Sequence, residues 1–403
     1  MNRERLLVVG NGMAGIRAVE DVLERAPGRY DITMFGAEPH TAYSRIMLSP
    51  VLAGEKSFDD IVSHDRDWYA ANTVTLNSGT AVSAIHPGAR ILVTGDGRSF
   101  AYDKLILATG SHPVILPVPG HDLPGVVTFR DAKDVAAMLA AARHGRNAVV
   151  VGGGLLGLEA AYGLMKQGMN VTVVHLMADL MERQLDREAS SLLRREIEGR
   201  GVRVLCSAQT ASILGARRVR AVMLKEGIEL PADLVVMAVG VRPNADIARA
   251  AGLSVSRGIV VDDGMRTSDP HVFAVGECVE HQGVCHGLVA PLYDMAKVLA
   301  ETLSGRAGVY RPAATATRLK VTGVDLFSAG NFAGGEGYED IVLRDPERGI
   351  YRRLVLKDDR LAGAVLYGDT ADGAFFFDLI QKGADTTPIR DMLIFGPALC
   401  EAA

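Results

Sequence analysis

Gly10, Gly12 and Gly15 stand at G-x-G-x-x-G spacing in LLVVGNGMAG, and Gly152, Gly154 and Gly157 repeat it in VVVGGGLLGLEAA. The chemistry that this spacing serves is anion binding. The first glycine permits a tight turn, the second lets a pyrophosphate approach the backbone, and the third lets a helix pack closely on the preceding strand. The free N–H groups at the helix starts, around Met13 and Ala14 in one copy and Leu155 and Leu156 in the other, favour a negative charge. One such turn is a weak signal, because an unrelated glycine-rich turn gives the same letters. Two turns with the same surrounding order point to two dinucleotide sites.

Other polar residues fall where such sites need them. Glu38 follows the apolar run Asp31 to Phe35, at the spacing where a carboxylate accepts hydrogen bonds from an adenosine ribose. In the stretch containing Tyr43, Ser44, Arg45 and Ser49, Arg45 has the fork of donors that suits a diphosphate; the alternative is a solvated surface charge. Thr109-Gly110 and Gly276-Glu277 each close an apolar run, at the strand ends where ligands collect in open α/β sheets. Glu277 reads either as an acceptor for a ligand hydroxyl or as a strand-end acid facing solvent. Glu159, early in the second helix, reads as a carboxylate that orients a bound ligand or a neighbouring cation, or as a helix-dipole acid worth ~0.3–1 kcal/mol. His175 ends the strand VTVVH, where an acid would favour the free ribose of NADH and an arginine the phosphate of NADPH. Arg183 and Arg187 follow a few residues on, but no arginine occupies the strand end, which favours NADH.

Strands and helices around these residues alternate along the chain. A buried strand at Leu6–Val9 leads into a helix over Met13–Ala26 and a second strand to Glu38. A long polar and irregular segment reaches Val74. Short strands follow, punctuated by His86-Pro87-Gly88 and Gly95-Asp96-Gly97 turns, and Leu105–Ala108 returns to the central sheet. The prolines of HPVILPVPGHDLPG mark a crossover, after which the plan repeats: strand Ala148–Val151, helix Leu155–Gln167, strand Asn170–His175, helix Asp186–Gly199, strand VRVLC, hairpin strands, and ADLVVMAVG echoing YDKLILATG. Strand Val272–Val275 and a helix over Asp294–Leu303, with Pro291 at its entrance, resume the first domain. The fold expected is α/β, with two Rossmann-like dinucleotide-binding domains, one inserted in the other, plus a C-terminal α+β domain. The boundaries are 1–112 and 241–310 for the first, 113–240 for the second and 311–403 for the third. Phe375, Phe376 and Phe377, in the helix of that last domain, read as core or interface residues.

Composition limits the function. The 403 residues are 48% hydrophobic and 23% charged, with a formal net charge of −5, an ordinary globular mixture without the basic stripe of a nucleic-acid binder. No uncharged apolar run approaches the ~20 residues that cross a bilayer, and no membrane partner is expected. The basic start MNRER precedes an apolar run too short for a signal peptide, so the expected location is cytoplasmic. The four cysteines, Cys206, Cys278, Cys285 and Cys400, form no C-x-x-C pair and no metal site is expected.

The order GNGMAG, Glu38-Pro39, LILATG, GGGLLGLEAA, AVGECVEH and GLVAPLY resembles the pyridine nucleotide–disulfide oxidoreductases, the two-dinucleotide flavoproteins. Within that superfamily, FGAEPHTAYSRIMLSPVLAGE, VTVVHLMADLMERQLD and LKVTGVDLFSAG are similar to the flavin-binding portion of assimilatory NAD(P)H nitrite reductase large subunits. The resemblance covers essentially the whole chain. It implies FAD at Gly10, Gly12, Gly15, Glu38, Arg45, Thr109 and Glu277, with NADH or NADPH at Gly152, Gly154, Gly157 and Glu159. In that setting Glu159 reads as orienting the nicotinamide carboxamide, the Gly287–Asp294 segment reads as running beside the flavin or as a plain helix entrance, and the resemblance implies that the C-terminal domain covers the flavin or forms a homodimer.

Departures from the superfamily narrow the chemistry. No cysteine lies between Met1 and Val204, so reduction of disulfides or peroxide by a protein thiol is not expected. Pro50 follows Leu48-Ser49 where related ferredoxin reductases carry a lysine, and Glu277 stands where the superfamily prefers aspartate. What remains is electron transfer from NAD(P)H through FAD to an iron–sulfur and sirohaem nitrite reductase, a nitrate reductase or another iron–sulfur carrier. The rival expectation is a flavin-bound protein in which NAD(P)H binding regulates interactions. Nitrite reductase large subunits continue into iron–sulfur and sirohaem domains; a chain that ends at LIFGPALCEAA is not expected to reduce nitrite alone.

Overall fold

The computed structural model describes residues 3–312, 316–321 and 323–400. Thr315, Thr322 and Glu401–Ala403, which fall in the segments read above, lie outside them. The chain divides into two compact units, residues 1–51, 56–114 and 241–312 in one, and 52–55, 115–240 and 313–403 in the other.

The first unit is built on a five-stranded sheet in the order Val272–Ala274, Lys104–Leu107, Glu4–Val9, Tyr30–Gly36, Val74–Ser78. Every neighbouring pair is parallel. Leu6, Val8, Leu105 and Ile106 are fully buried, as strands covered on both faces require. Each such side chain contributes about 1.5–3 kcal/mol by leaving water. The helix Met13–Arg25 crosses from the first strand to the second, and the helix Val289–Leu303 packs beside it. Tyr30 Oη donates to the Leu303 carbonyl at 2.7 Å, fixing the end of that second helix to the sheet. A small antiparallel sheet, Val82–His86, Ile91–Thr94 and Ser99–Ala101, fills the connection to the fourth strand.

The second unit repeats the arrangement. Its parallel sheet runs Arg203–Leu205, Asn170–Val174, Asn147–Val151, Leu234–Met237, Val126–Thr128, with the hairpins of Thr210–Gly215, Val219–Leu224 and Glu229–Pro231 in the place of the small sheet. In the same unit, the C-terminal residues form a five-stranded antiparallel sheet, ordered Ala316–Val321, Val324–Gly330, Arg360–Tyr367, Ile350–Lys357, Glu339–Asp345. The helix Gly373–Lys382 covers it; Phe376 is fully buried, and Phe375 and Phe377 pack against the same core. Asp186 caps the helix Arg187–Gly199 through the Ala189 N–H and accepts from Tyr351 Oη at 2.5 Å. Arg344 grips Glu188 at 2.5 and 2.6 Å. These bonds tie the antiparallel sheet to the nucleotide-type sheet.

Two local expectations change. The segment after Thr41 carries short helices, Arg45–Met47 and Leu48–Leu52, in place of irregular chain. The last helix of the first unit starts at Val289, before Asp294, because Pro291 sits in the first turn, where the missing N–H would have had no intrahelical partner.

Candidate functional site

Each glycine-rich turn leaves its strand in the same register. In the first unit Val9 pairs with Phe35, and the Gly10 N–H donates to the Phe35 carbonyl at 2.8 Å. In the second Val151 pairs with Val174, and the Gly152 N–H donates to the Val174 carbonyl at 2.9 Å. Gly10 and Gly152 have φ of +114° and +121°, a region that side chains avoid. A Cβ there would also stand 2.1 Å from the Ala108 carbonyl oxygen and 2.2 Å from that of Ala238. The third glycines lie over the first, where a Cβ would come within 2.2 Å of the Gly10 oxygen from Gly15 and 2.0 Å of the Gly152 oxygen from Gly157. The middle glycines face open space: among the described residues a Cβ on Gly154 meets nothing within 4 Å, and one on Gly12 meets only Arg45 Nε at 3.9 Å.

Gly12 and Gly154 are also the N-caps of their helices, which have no side-chain cap and no acid in the first turn. Met13, Ala14 and Leu155, Leu156 are therefore the first helical residues of two uncapped, positively polarised helix ends. A diphosphate fits both cradles, since backbone approach is open and anionic side chains are absent from the first turns.

Around the first cradle the sheet gathers the other predicted residues. Arg45 pairs with Glu38, whose other oxygen accepts from Tyr43 Oη at 2.7 Å. A Cβ on Gly276 (φ +94°) would stand 2.8 Å from Ala14 Cβ, so the strand end carrying Gly276-Glu277 abuts the start of the glycine-turn helix. Glu277 accepts from Ser111 Oγ at 3.0 Å. Thr109 and Gly110 follow Ala108 at the neighbouring strand end, with Thr109 Oγ1 donating to the Asn244 carbonyl at 2.6 Å. Ser49 lies half-buried on the short helix after Arg45, and Pro291 is buried in the first turn of its helix.

Asn11, a residue that the glycine spacing treats as a spacer, adds a donor. Its Oδ1 accepts from Tyr69 Oη at 2.8 Å, while its buried Nδ2 has no hydrogen-bond partner among the described residues. A buried donor left open beside the turn fits an acceptor-rich ligand such as the sugar–diphosphate portion of FAD.

In the second unit Glu159 lies half-buried in the helix that starts at Leu155. His175 lies just past the strand end, 8% exposed, with its ring turned toward the glycine-rich turn.

Thiol chemistry has little support. None of the four cysteines forms a disulfide, and burial pushes the thiols of Cys206, Cys278 and Cys285 up, disfavouring the reactive thiolate. Cys278 is wholly buried, with Sγ bonded to the carbonyls of Val275 and Leu107 at 3.4 and 3.5 Å. Among the described residues no cluster of His, Cys, Asp and Glu is placed to hold a metal ion, and no helix is long and apolar enough to cross a membrane.

Two parallel sheets, each opening into a diphosphate cradle at the same register, define a two-dinucleotide oxidoreductase fold. Residues 4–298 match the family model of the pyridine nucleotide-disulphide oxidoreductases, and residues 316–384 that of the rubredoxin NAD+ reductase C-terminal domain. The chain is 47% identical, over 100% of its length and 50% of the relative's, to a nitrite reductase [NAD(P)H] of Bacillus subtilis. It is 44% identical to the assimilatory nitrate reductase electron transfer subunit of the same organism, over 98% of this chain and 51% of that one. It thus spans about half the length of these curated relatives. A chain in the crystal structure of the covalent putidaredoxin reductase–putidaredoxin complex matches with a TM-score of 0.86 and 27% identity, covering 100% of both chains.

The chain belongs to the pyridine nucleotide-disulphide oxidoreductase family. It is an oxidoreductase of the flavoprotein class whose cofactors are FAD and NAD(P)H.

Proposed function

We propose that the chain oxidises NAD(P)H and delivers the electrons to a separate or appended redox centre, an iron–sulfur and sirohaem nitrite reductase or a nitrate reductase. The observation that carries this reading is the pair of open cradles at Gly12 and Gly154, each at an uncapped helix end. The lack of any cysteine from Met1 to Val204 turns it away from disulfide chemistry, and the names of the 47% and 44% identical relatives support the choice of acceptor.

In this reading residues 1–112 and 241–310 hold FAD and residues 113–240 hold NAD(P)H, while 311–403 serve as an interface, including that of a homodimer. When bound, the nicotinamide supplies hydride and the flavin accepts an electron pair that it can release singly. The protein's part is placement. Gly12 and the N–H groups of Met13 and Ala14 receive a diphosphate, with Arg45 as its cation and Glu38 as acceptor for the ribose. Asn11 Nδ2 donates to an acceptor of the same ligand, and Glu277 and the Thr109-Gly110 strand end line the path of its ribityl chain. In the second unit Gly154, Leu155 and Leu156 receive the nicotinamide dinucleotide's diphosphate, and Glu159 orients its carboxamide. The work is cytoplasmic, where NAD(P)H is supplied.

Activity assays test the acceptor. The FAD-loaded chain is expected to reduce ferricyanide with NAD(P)H and to show negligible activity with nitrite, glutathione disulfide or peroxide. Nitrite reduction should appear on adding an iron–sulfur and sirohaem partner. Reduction of nitrite by the metal-free chain at a rate comparable with ferricyanide would overturn the proposal.

A further inference from the structure

The two glycine-rich turns solve one packing problem in opposite ways. Gly10 and Gly152 are equivalent by strand register, so Asn11 corresponds to Gly153, and Gly36, which follows Phe35, corresponds to His175, which follows Val174. In the first unit the side chain is on the turn and the strand end is bare: a Cβ on Gly36 would stand 3.1 Å from Asn11 Cβ. In the second the turn is bare and the strand end carries the side chain: a Cβ on Gly153 would stand 2.7 Å from His175 Cγ and 2.6 Å from Leu180 Cδ2. The first unit places Asn11 between turn and strand end, and the second places the His175 imidazole there, with Leu180 beside it.

That imidazole is fully engaged. The Gly153 N–H donates to His175 Nδ1 at 3.0 Å, so Nδ1 is the unprotonated nitrogen and Nε2 carries the proton. Nε2 lies 3.0 Å from the Asp179 carbonyl and 3.2 Å from Glu182 Oε2, both acceptors. The Gly153 carbonyl accepts from the Met181 N–H at 3.1 Å, and Met181 has φ +51°. Both polar groups of Gly153 are thus held by the segment that follows the strand. Gly154, the next residue, is the N-cap of the helix that opens at Leu155 and Leu156.

We infer that His175, as the neutral imidazole protonated on Nε2, is a positioning residue that locks the second glycine-rich turn in its diphosphate-binding conformation, and that it does not read the ribose of the nicotinamide dinucleotide. The inference rests on the reading of the second unit as the NAD(P)H site. Because the ring acts on the turn, which meets a diphosphate common to both nucleotides, its loss weakens NAD+ and NADP+ by the same factor. A ribose reader would change their ratio.

The test is calorimetric titration of the oxidised, FAD-loaded full chain with NAD+ and with NADP+, alongside flavin content and thermal melting. His175→Ala should weaken both nucleotides about tenfold, equivalent to about 1.4 kcal/mol, with flavin content unchanged. His175→Asn keeps an acceptor near the Nδ1 position and should bind within about threefold of the parent, whereas His175→Leu should behave like alanine. If the alanine variant fails to fold, the asparagine and leucine pair carries the comparison. Equal affinity in all variants, a loss confined to one nucleotide, or an asparagine variant as weak as leucine would each overturn the inference. A parent chain that binds neither nucleotide would instead overturn the NAD(P)H reading beneath it.

Discussion

Arg45 Nη2 closes an ion pair on Glu38 Oε1, and both side chains are only about a quarter exposed, at 28% and 27%. Tyr43 completes the arrangement: its hydroxyl holds the other carboxylate oxygen at 2.7 Å, and the Arg45 guanidinium lies 5.4 Å from its ring centroid. The pair therefore presents a fixed acceptor and a fixed cation beside Gly12, which is the combination that a ribose linked to a diphosphate requires.

Replacing Arg45 should separate flavin binding from folding. Arg45→Ala is expected to cost about 1 kcal/mol or less of stability, since the pair is partly solvated, while FAD affinity falls about tenfold or more, or by at least about 1.4 kcal/mol. Arg45→Lys restores the charge without the fork and should recover only part of the affinity. Flavin retained after desalting, with a melting curve on the flavin-free protein, reads both quantities. Full flavin retention in the alanine variant would remove Arg45 from the site.

The middle glycines should give opposite phenotypes. Gly12→Val and Gly154→Val each place a branched side chain where a Cβ alone meets little or nothing, so folding should survive and ligand approach should not. Gly12→Val is expected to purify without flavin colour. Gly154→Val should stay yellow but lose reduction by NAD(P)H by more than about a hundredfold. Absorbance spectra before and after adding NADH distinguish them; the reverse pairing of colours would exchange the two sites.

The glycine positions are legible in the sequence because their constraint is local: φ near +114° and +121° at Gly10 and Gly152, and a carbonyl 2.1–2.2 Å from any Cβ, follow from a strand turning directly into a helix. The strand order follows almost as directly, since buried parallel strands read as continuous apolar runs. What is hidden depends on contacts between distant residues. Nothing local announces that Tyr69 would occupy one end of Asn11, or that His175 would turn back under Gly153 rather than outward. A signal was present in the contrast of GNGMAG with GGGLLG, where the extra glycine makes room for the histidine, but it has meaning only once the two turns are set in register. The grip of Arg45 and Tyr43 on Glu38 depends likewise on the short helices of a segment that reads as irregular.

Alkaline stability offers a check on the first unit's core. Burial pushes the phenols of Tyr30 and Tyr102 up to about 12, from the ordinary value near 10. A folded-state value raised above the unfolded one stabilises fully below about 10 and is lost as the pH climbs toward 12. Spectrophotometric titration should therefore show a fraction of the phenolate signal appearing only together with loss of helical signal in that window. Complete tyrosine ionisation near pH 10 with the fold intact would contradict the packing described for these residues.

In the proposed reaction NAD(P)H electrons enter FAD on this chain and leave to an external acceptor without a protein thiol. Anaerobic mixing of the FAD-loaded protein with NADH, followed by ferricyanide, tests it most directly, with the cysteines blocked beforehand by a thiol-alkylating reagent. The flavin absorbance should bleach with NADH and return with ferricyanide, at rates unchanged by the alkylation. Flavin that stays oxidised in the presence of both NADH and NADPH, or a reaction that stops when the thiols are blocked, would contradict it.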